Sequence, residues 1–188
     1  MTIRGTTLAN NTALCYSWTM RNHTTYKIGR WICTAFLVAG LWAGSWVSAA
    51  EIMERLDFSL LNLEGEKVTL SEQVGKPIAL VFWATYCPTC REEIPDMRRF
   101  YEKYKNTELV FLSVAIDRKT AEEVKEFTRR FSISYPVLLG DSSVARKWGV
   151  KAIPAAFIID RTGNVIHRFT GLHVTVDLDR RLKNILAP

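Results

Sequence analysis

The sequence predicts an α/β domain with a mixed central sheet, helices on both faces, and a β-hairpin extension at its N-terminal end. Three observations carry that prediction. Two continuous apolar runs, Ile78 to Ala84 (IALVFWA) and Leu109 to Ile116 (LVFLSVAI), read as strands buried on both faces. Each run is followed by a segment with apolar residues at helical spacing, so the order is strand, helix, strand, helix. A β-hairpin and a closing helix come after this unit, which adds antiparallel pairing to a sheet that is otherwise parallel.

Taken in order, Phe58 to Leu70 alternates apolar and polar residues around Glu64-Gly65, the pattern of a β-hairpin. Ser71 is placed to cap a short helical turn. The first buried strand starts after Pro77, and the helix that follows Cys87-Pro88-Thr89-Cys90 runs to about Lys105. Its buried face is expected to hold Ile94, Met97, Tyr101 and Tyr104. After the second strand, Val124, Phe127 and Phe131 mark the inner face of another helix. Tyr135 to Leu139 reads as a short strand, Asp141 caps a helix to about Trp148, and Gly149 ends it. Ala155 to Asp160 and Val165 to Thr170 flank Arg161-Thr162-Gly163-Asn164 as the second hairpin, and Leu178, Leu182 and Ile185 mark the last helix.

The 188 residues divide at about residue 50. Residues 1–50 carry Arg4, Arg21, Lys27 and Arg30 with no acid, whereas residues 51–188 balance 21 Lys and Arg against 19 Asp and Glu. The net charge of +6 therefore belongs largely to the leader, and the domain lacks the one-signed surface that nucleic acid requires. Residues 31–50 (WICTAFLVAGLWAGSWVSAA) contain no charge and no proline. Twenty helical residues span about 30 Å, so the stretch is long enough to anchor the chain in a membrane. Val47-Ser48-Ala49 equally suits cleavage as a secretory signal, with Met20 as an alternative start that gives the usual charged-then-apolar order. Both readings place residues 51–188 outside the cytoplasmic membrane, in the periplasm or an equivalent compartment.

Of four cysteines, Cys15 and Cys33 lie in the leader, which leaves Cys87 and Cys90 in the domain. Arg91 stands where a c-type haem site needs His, and the domain offers only His167 and His173 to complete a zinc site. A disulfide across so short a loop removes little unfolded-state entropy, which disfavours a purely structural bond. Reversible redox chemistry remains, with no metal and no cofactor beyond the pair itself. Cys87 falls at the N-cap of a helix that has Pro88 at its first position, so the unpaired amides of the first turn point at its sulfur and favour the thiolate. Cys87 is thus the expected nucleophile, and Cys90, one turn into the helix, the resolving thiol.

Phe82 to Glu93 (FWATYCPTCREE) together with Gly149 to Asp160 (GVKAIPAAFIID) resembles the TlpA/ResA branch of the thioredoxin-like proteins. The resemblance extends over essentially all of residues 51–188. It implies an exported thiol-disulfide oxidoreductase, close to the cytochrome c maturation reductases, that acts on protein disulfides such as those of apocytochrome c and is re-reduced by a membrane thiol carrier. It further implies a cis peptide at Ile153-Pro154 opposite the cysteines, with the Ile153 backbone pairing with substrate. Tyr86 is expected on the substrate surface, and Trp83 reads either as shielding the active-site rim or as sheet core. Tyr86 replaces the second Trp usual in the family, and Val81 occupies the position where cytoplasmic thioredoxins carry a buried Asp. Glu93, three residues after Cys90 and a Glu position in the family, is the expected proton acceptor for Cys90, against the alternative of a solvated helix charge. Arg91 reads as solvent-facing, and His167 and His173 as exposed residues without a partner. Two other functions fit parts of this pattern. A peroxiredoxin-like thiol peroxidase would place Thr three residues before a single reactive Cys. An exported copper carrier would add a His and a wider Cys spacing.

Overall fold

In the computed structural model, the residues described are Glu54 and residues 56–186. The segment expected to be a leader, residues 1–50 with the apolar stretch 31–50 and both of its cysteines, lies outside the described residues. Among the described residues no helix is long and apolar enough to cross a membrane.

Seven strands form one sheet in the order β2-β1-β5-β4-β3-β6-β7. The first hairpin is β1 (Ser59–Asn62) and β2 (Lys67–Thr69), turned at Gly65, whose φ of 84° is a conformation that favours glycine. The central strands are β3 (Ile78–Trp83) and β4 (Val110–Ala115), parallel and joined through helix α1 (Pro88–Tyr104). Helix α2 (Ala121–Arg130) leads to β5 (Val137–Leu139), parallel to β4 and antiparallel to β1. Helix α3 (Ser142–Lys147) precedes the second hairpin, β6 (Ala155–Ile159) and β7 (Val165–Thr170), and α4 (Val174–Ile185) closes the chain. β6 runs antiparallel to β3, so the sheet is mixed, as the order of elements predicts.

Every residue of β3 is buried, and its alternation divides the core in two. Ala79, Val81 and Trp83 face α1, α2 and α4 through Ile94, Met97, Val124 and Leu178. Ile78, Leu80 and Phe82 face the opposite layer, which holds Phe58, Leu70, Val144 and Trp148. There Trp148 lies edge-on to Phe157 with ring centroids 5.0 Å apart, and its indole N–H donates to the Leu56 carbonyl at 2.9 Å. The outermost strands are β2, three residues long, and β7, whose pairing with β6 is interrupted by a register shift at Ile158/Ile159.

Local details differ from expectation at two places. Ser71 does not cap the turn Ser71–Gln73 but begins it; its amide and hydroxyl both donate to the Asp57 carboxylate, at 2.9 and 2.7 Å. On α1 it is Phe100, not Tyr101, that is fully buried, because Glu93, Met97, Phe100 and Tyr104 hold the centre of the inward stripe and Tyr101 lies at its margin.

Candidate active site

Cys87 and Cys90 form a disulfide, with Cα atoms 5.2 Å apart, at the start of α1. Cys87 is the N-cap and Pro88 opens the helix, where its missing N–H costs nothing. The Cys90 amide donates to the Cys87 sulfur at 3.1 Å, the contact expected of a helix terminus that stabilises a thiolate. Cys87 is 6% exposed and Cys90 is fully enclosed, so only the first sulfur can be reached from outside.

The peptide between Ile153 and Pro154 is cis, and the Ile153 carbonyl oxygen lies 3.7 Å from the Cys87 sulfur. Pro154 is buried at the start of β6, and its carbonyl accepts from the Gly171 amide at 2.9 Å. Ile153 remains half-exposed beside the pair, and Tyr86, immediately before Cys87, is 60% exposed. Trp83, in contrast, is wholly enclosed at the end of β3, 5.8 Å from the Phe127 ring. It supports the site from below rather than contributing to the rim, which leaves Tyr86 and Ile153 as the rim side chains among the expected residues.

Glu93 is 1% exposed, so it is not a solvated helix charge. Its carboxylate accepts the His173 amide on one oxygen and, on the other, the Thr175 hydroxyl at 2.6 Å and the Thr175 amide at 3.4 Å. His173 is the N-cap of α4, adopts a φ of 70° and makes no side-chain cap of its own. Glu93 therefore caps α4 from a different helix, in the place where a negative charge complements the helix dipole. His173 also departs from expectation: its ring is exposed, but Nδ1 lies 3.9 Å from the Glu93 carboxylate. Glu93, Asp96 and His173 bring one ligand atom each within 4.8 Å of one another. The Glu93 oxygens already take three donors and Asp96 pairs with Arg99, so the trio has little coordinating capacity left for a metal. His167 is half-buried against Phe169, away from this group.

Two residues that hold the site escape sequence reasoning. β3 and β4 are in register with Trp83 beside Ala115, so Thr85 and Asp117 leave the sheet side by side. The buried Asp117 carboxylate accepts the Thr85 amide at 3.0 and 3.2 Å and its hydroxyl at 2.6 Å. Arg91 Nε donates to the Thr85 carbonyl at 2.9 Å, so Arg91 is fixed to the loop rather than simply facing solvent. All three groups thus anchor the residue two before Cys87. Nothing in the local sequence around Asp117 marks it, because its partner is 32 residues away.

A family model described as the AhpC/TSA family matches residues 54–168. The thiol-disulfide oxidoreductase ResA of Bacillus thuringiensis subsp. konkukian is 32% identical over 133 residues, 70% of this chain and 76% of its own length. ResA of Geobacillus kaustophilus is likewise 32% identical, over 69% of this chain and 74% of its own. Among solved structures, a putative thiol:disulfide interchange protein DsbE from Chlorobium tepidum superposes with a TM-score of 0.63 at 29% identity, covering 70% of this chain and 94% of that one. With a Cys-Pro-Thr-Cys pair at a helix N-terminus facing a cis-proline, the chain belongs to the AhpC/TSA family and is a thioredoxin-like thiol-disulfide oxidoreductase of the ResA/DsbE type.

Proposed function

We propose that this oxidoreductase works outside the cytoplasmic membrane as a reductant of protein disulfides, apocytochrome c among them, and is returned to its dithiol form by a membrane thiol carrier. The observation that carries this reading is the asymmetry of the pair: Cys87 is reachable and receives a helix-terminal amide, while Cys90 is sealed one turn below it. In the reduced enzyme the Cys87 thiolate attacks a substrate disulfide, forming a mixed disulfide and expelling one substrate thiolate. Cys90 then attacks Cys87, which closes the enzyme disulfide and releases the second substrate thiolate. Two electrons pass from enzyme to substrate, and no other redox group takes part.

Glu93 is the group we assign to take the Cys90 proton before that second attack. It lies one turn beyond Cys90 on the same helix, and both side chains are buried, so bulk water is a poor alternative acceptor. Tyr86 and Ile153 provide the exposed apolar surface next to Cys87, and the Ile153 backbone pairs with an extended substrate segment. Export rests on the cationic-then-apolar order of residues 21–50, which serve as signal or tether.

The test is to express the full chain with Cys90→Ala and identify what it captures. The variant should accumulate mixed disulfides with exported proteins, and Cys87→Ser should capture none. Capture by Cys87→Ser as effective as by Cys90→Ala would exclude Cys87 as the attacking sulfur. An alkaline phosphatase fused after Pro188 should be active, and an inactive fusion would overturn the assignment outside the membrane.

A further inference from the structure

We propose that His173 carries the proton between Glu93 and solvent during the resolving step. The proposal rests on the reading of Glu93 as proton acceptor for Cys90, and it answers a problem that reading creates. Glu93 is 1% exposed, so a proton it accepts has no direct way out. The His173 ring is a titratable group that spans the gap: its side chain is 67% exposed, and its Nδ1 lies 3.9 Å from the buried carboxylate. That separation is closed by a small ring rotation or by one bridging water.

The geometry is held in place from the backbone. The same Glu93 oxygen that faces the ring accepts the His173 amide, and the residue is fixed in the left-handed region with φ of 70°. The ring is therefore tethered beside its proton donor. The other groups facing it are few. From α1 comes Asp96, one turn beyond Glu93 and paired with Arg99; from α4 comes the Thr175 hydroxyl, which is already donated to Glu93. Asp96 provides a carboxylate next to the imidazolium that forms in transit.

The step balances without any added reagent. The Cys90 thiol gives its proton to Glu93, and the Cys90 thiolate displaces the substrate thiolate from Cys87. Neutral His173 takes the proton from Glu93, and the imidazolium then releases it to water or buffer. An imidazole suits this task because one ring nitrogen can accept a proton while the other gives one up.

The experiment follows the resolving step in the full chain after Cys87 has been loaded with an aromatic thiol whose released thiolate is coloured. His173→Asn is the informative variant, because Asn tolerates the left-handed backbone and keeps the amide that Glu93 accepts. His173→Gly serves as a second variant in the same conformation. In weak buffer both should resolve at least about tenfold more slowly than the unaltered enzyme, and the rate should climb in proportion to added imidazole. Glu93→Gln should be slow with or without imidazole. A His173→Asn enzyme as fast as the unaltered one, with Glu93→Gln slow, overturns the relay and leaves Glu93 standing. Slow His173 variants that imidazole does not restore also overturn it, since that is the result of a structural fault. Resolution by Glu93→Gln at the unaltered rate overturns the Glu93 reading itself.

Discussion

Asp117→Ala is the substitution on which the account of the active-site loop depends most. Asp117 is 7% exposed and all three of its hydrogen bonds come from Thr85, which is 2% exposed. Removing the carboxylate orphans one buried amide and one buried hydroxyl. Each such group costs about 1 to 3 kcal/mol. The hydroxyl can rotate and water can enter the space left behind, so the expected loss is about 2 to 4 kcal/mol, a substantial part of the roughly 5 to 15 kcal/mol typical of a domain. Asp117→Asn retains one acceptor oxygen but turns an NH₂ towards a donor, and should lose about 1 to 2 kcal/mol. Urea titration of the oxidised protein reads these values as a shift in midpoint at constant slope. Asp141→Ala is the internal comparison: Asp141 caps α3 with bonds from the Ser143 and Val144 amides at 2.7 and 3.1 Å, but it is exposed, and its removal should cost about 1 kcal/mol. If Asp117→Ala is no more destabilising than Asp141→Ala, the reasoning that burial makes the Thr85 contacts costly to break is refuted.

Other outcomes follow from the same structure. Burial pushes the Asp179 carboxyl up, but hydrogen bonds from Lys103, Tyr104 and Lys183 outweigh it and hold the group below the usual carboxylate value. Its contribution is therefore complete above about pH 4 and fades as pH falls through the folded value, so the stability gap between the unaltered protein and Asp179→Asn should close in acid; a gap constant from neutral pH into that range would contradict the assignment. Gly140→Ala would bring a Cβ within 2.5 Å of Val114 Cγ1 and 3.0 Å of Val144 Cγ1, and should cost about 1 to 3 kcal/mol by urea titration. Tyr86→Ala should leave stability within about 0.5 kcal/mol, because the ring is exposed, while raising KM for a protein disulfide and sparing the reaction with a small one.

The legibility of this chain follows the range of the interactions involved. β3 is evident because six consecutive buried residues leave an uninterrupted apolar run, and the α3 cap is evident because Asp141 bonds two and three residues ahead. The cysteine pair is legible for the same reason: N-cap, helix-starting proline and second sulfur all fall within four residues. Phe100 and Tyr101 are adjacent aromatics at the edge of a helical stripe, both rest on Phe111, and periodicity alone does not separate them; burial does, with Phe100 enclosed in the core and Tyr101 only partly buried against it. Helical spacing puts Glu93 near Cys90 but cannot show that its carboxylate turns to a helix terminus 80 residues later. Asp117 and Thr85 meet only because β3 and β4 are in register, which no local pattern records. Trp83 is ambiguous in sequence because a strand's last residue can face either core or rim, and here it faces the core.

The two ends of the sheet bear on how such an enzyme handles its clients. Chains presenting disulfides to a reductant are often incompletely folded, and an open strand edge is a template on which an extended chain can pair. One outer strand, β2, is only three residues long and begins with Lys67; the other, β7, carries Arg168 and pairs with β6 across a break in register. Short length, charge and irregularity all discourage a further strand from adding there. The cis-proline segment at Ile153 lies instead on the loop that opens β6, beside the reactive sulfur. Neither border of the sheet thus favours pairing with a visiting chain, whereas the Ile153-Pro154 segment stands beside the Cys87 sulfur.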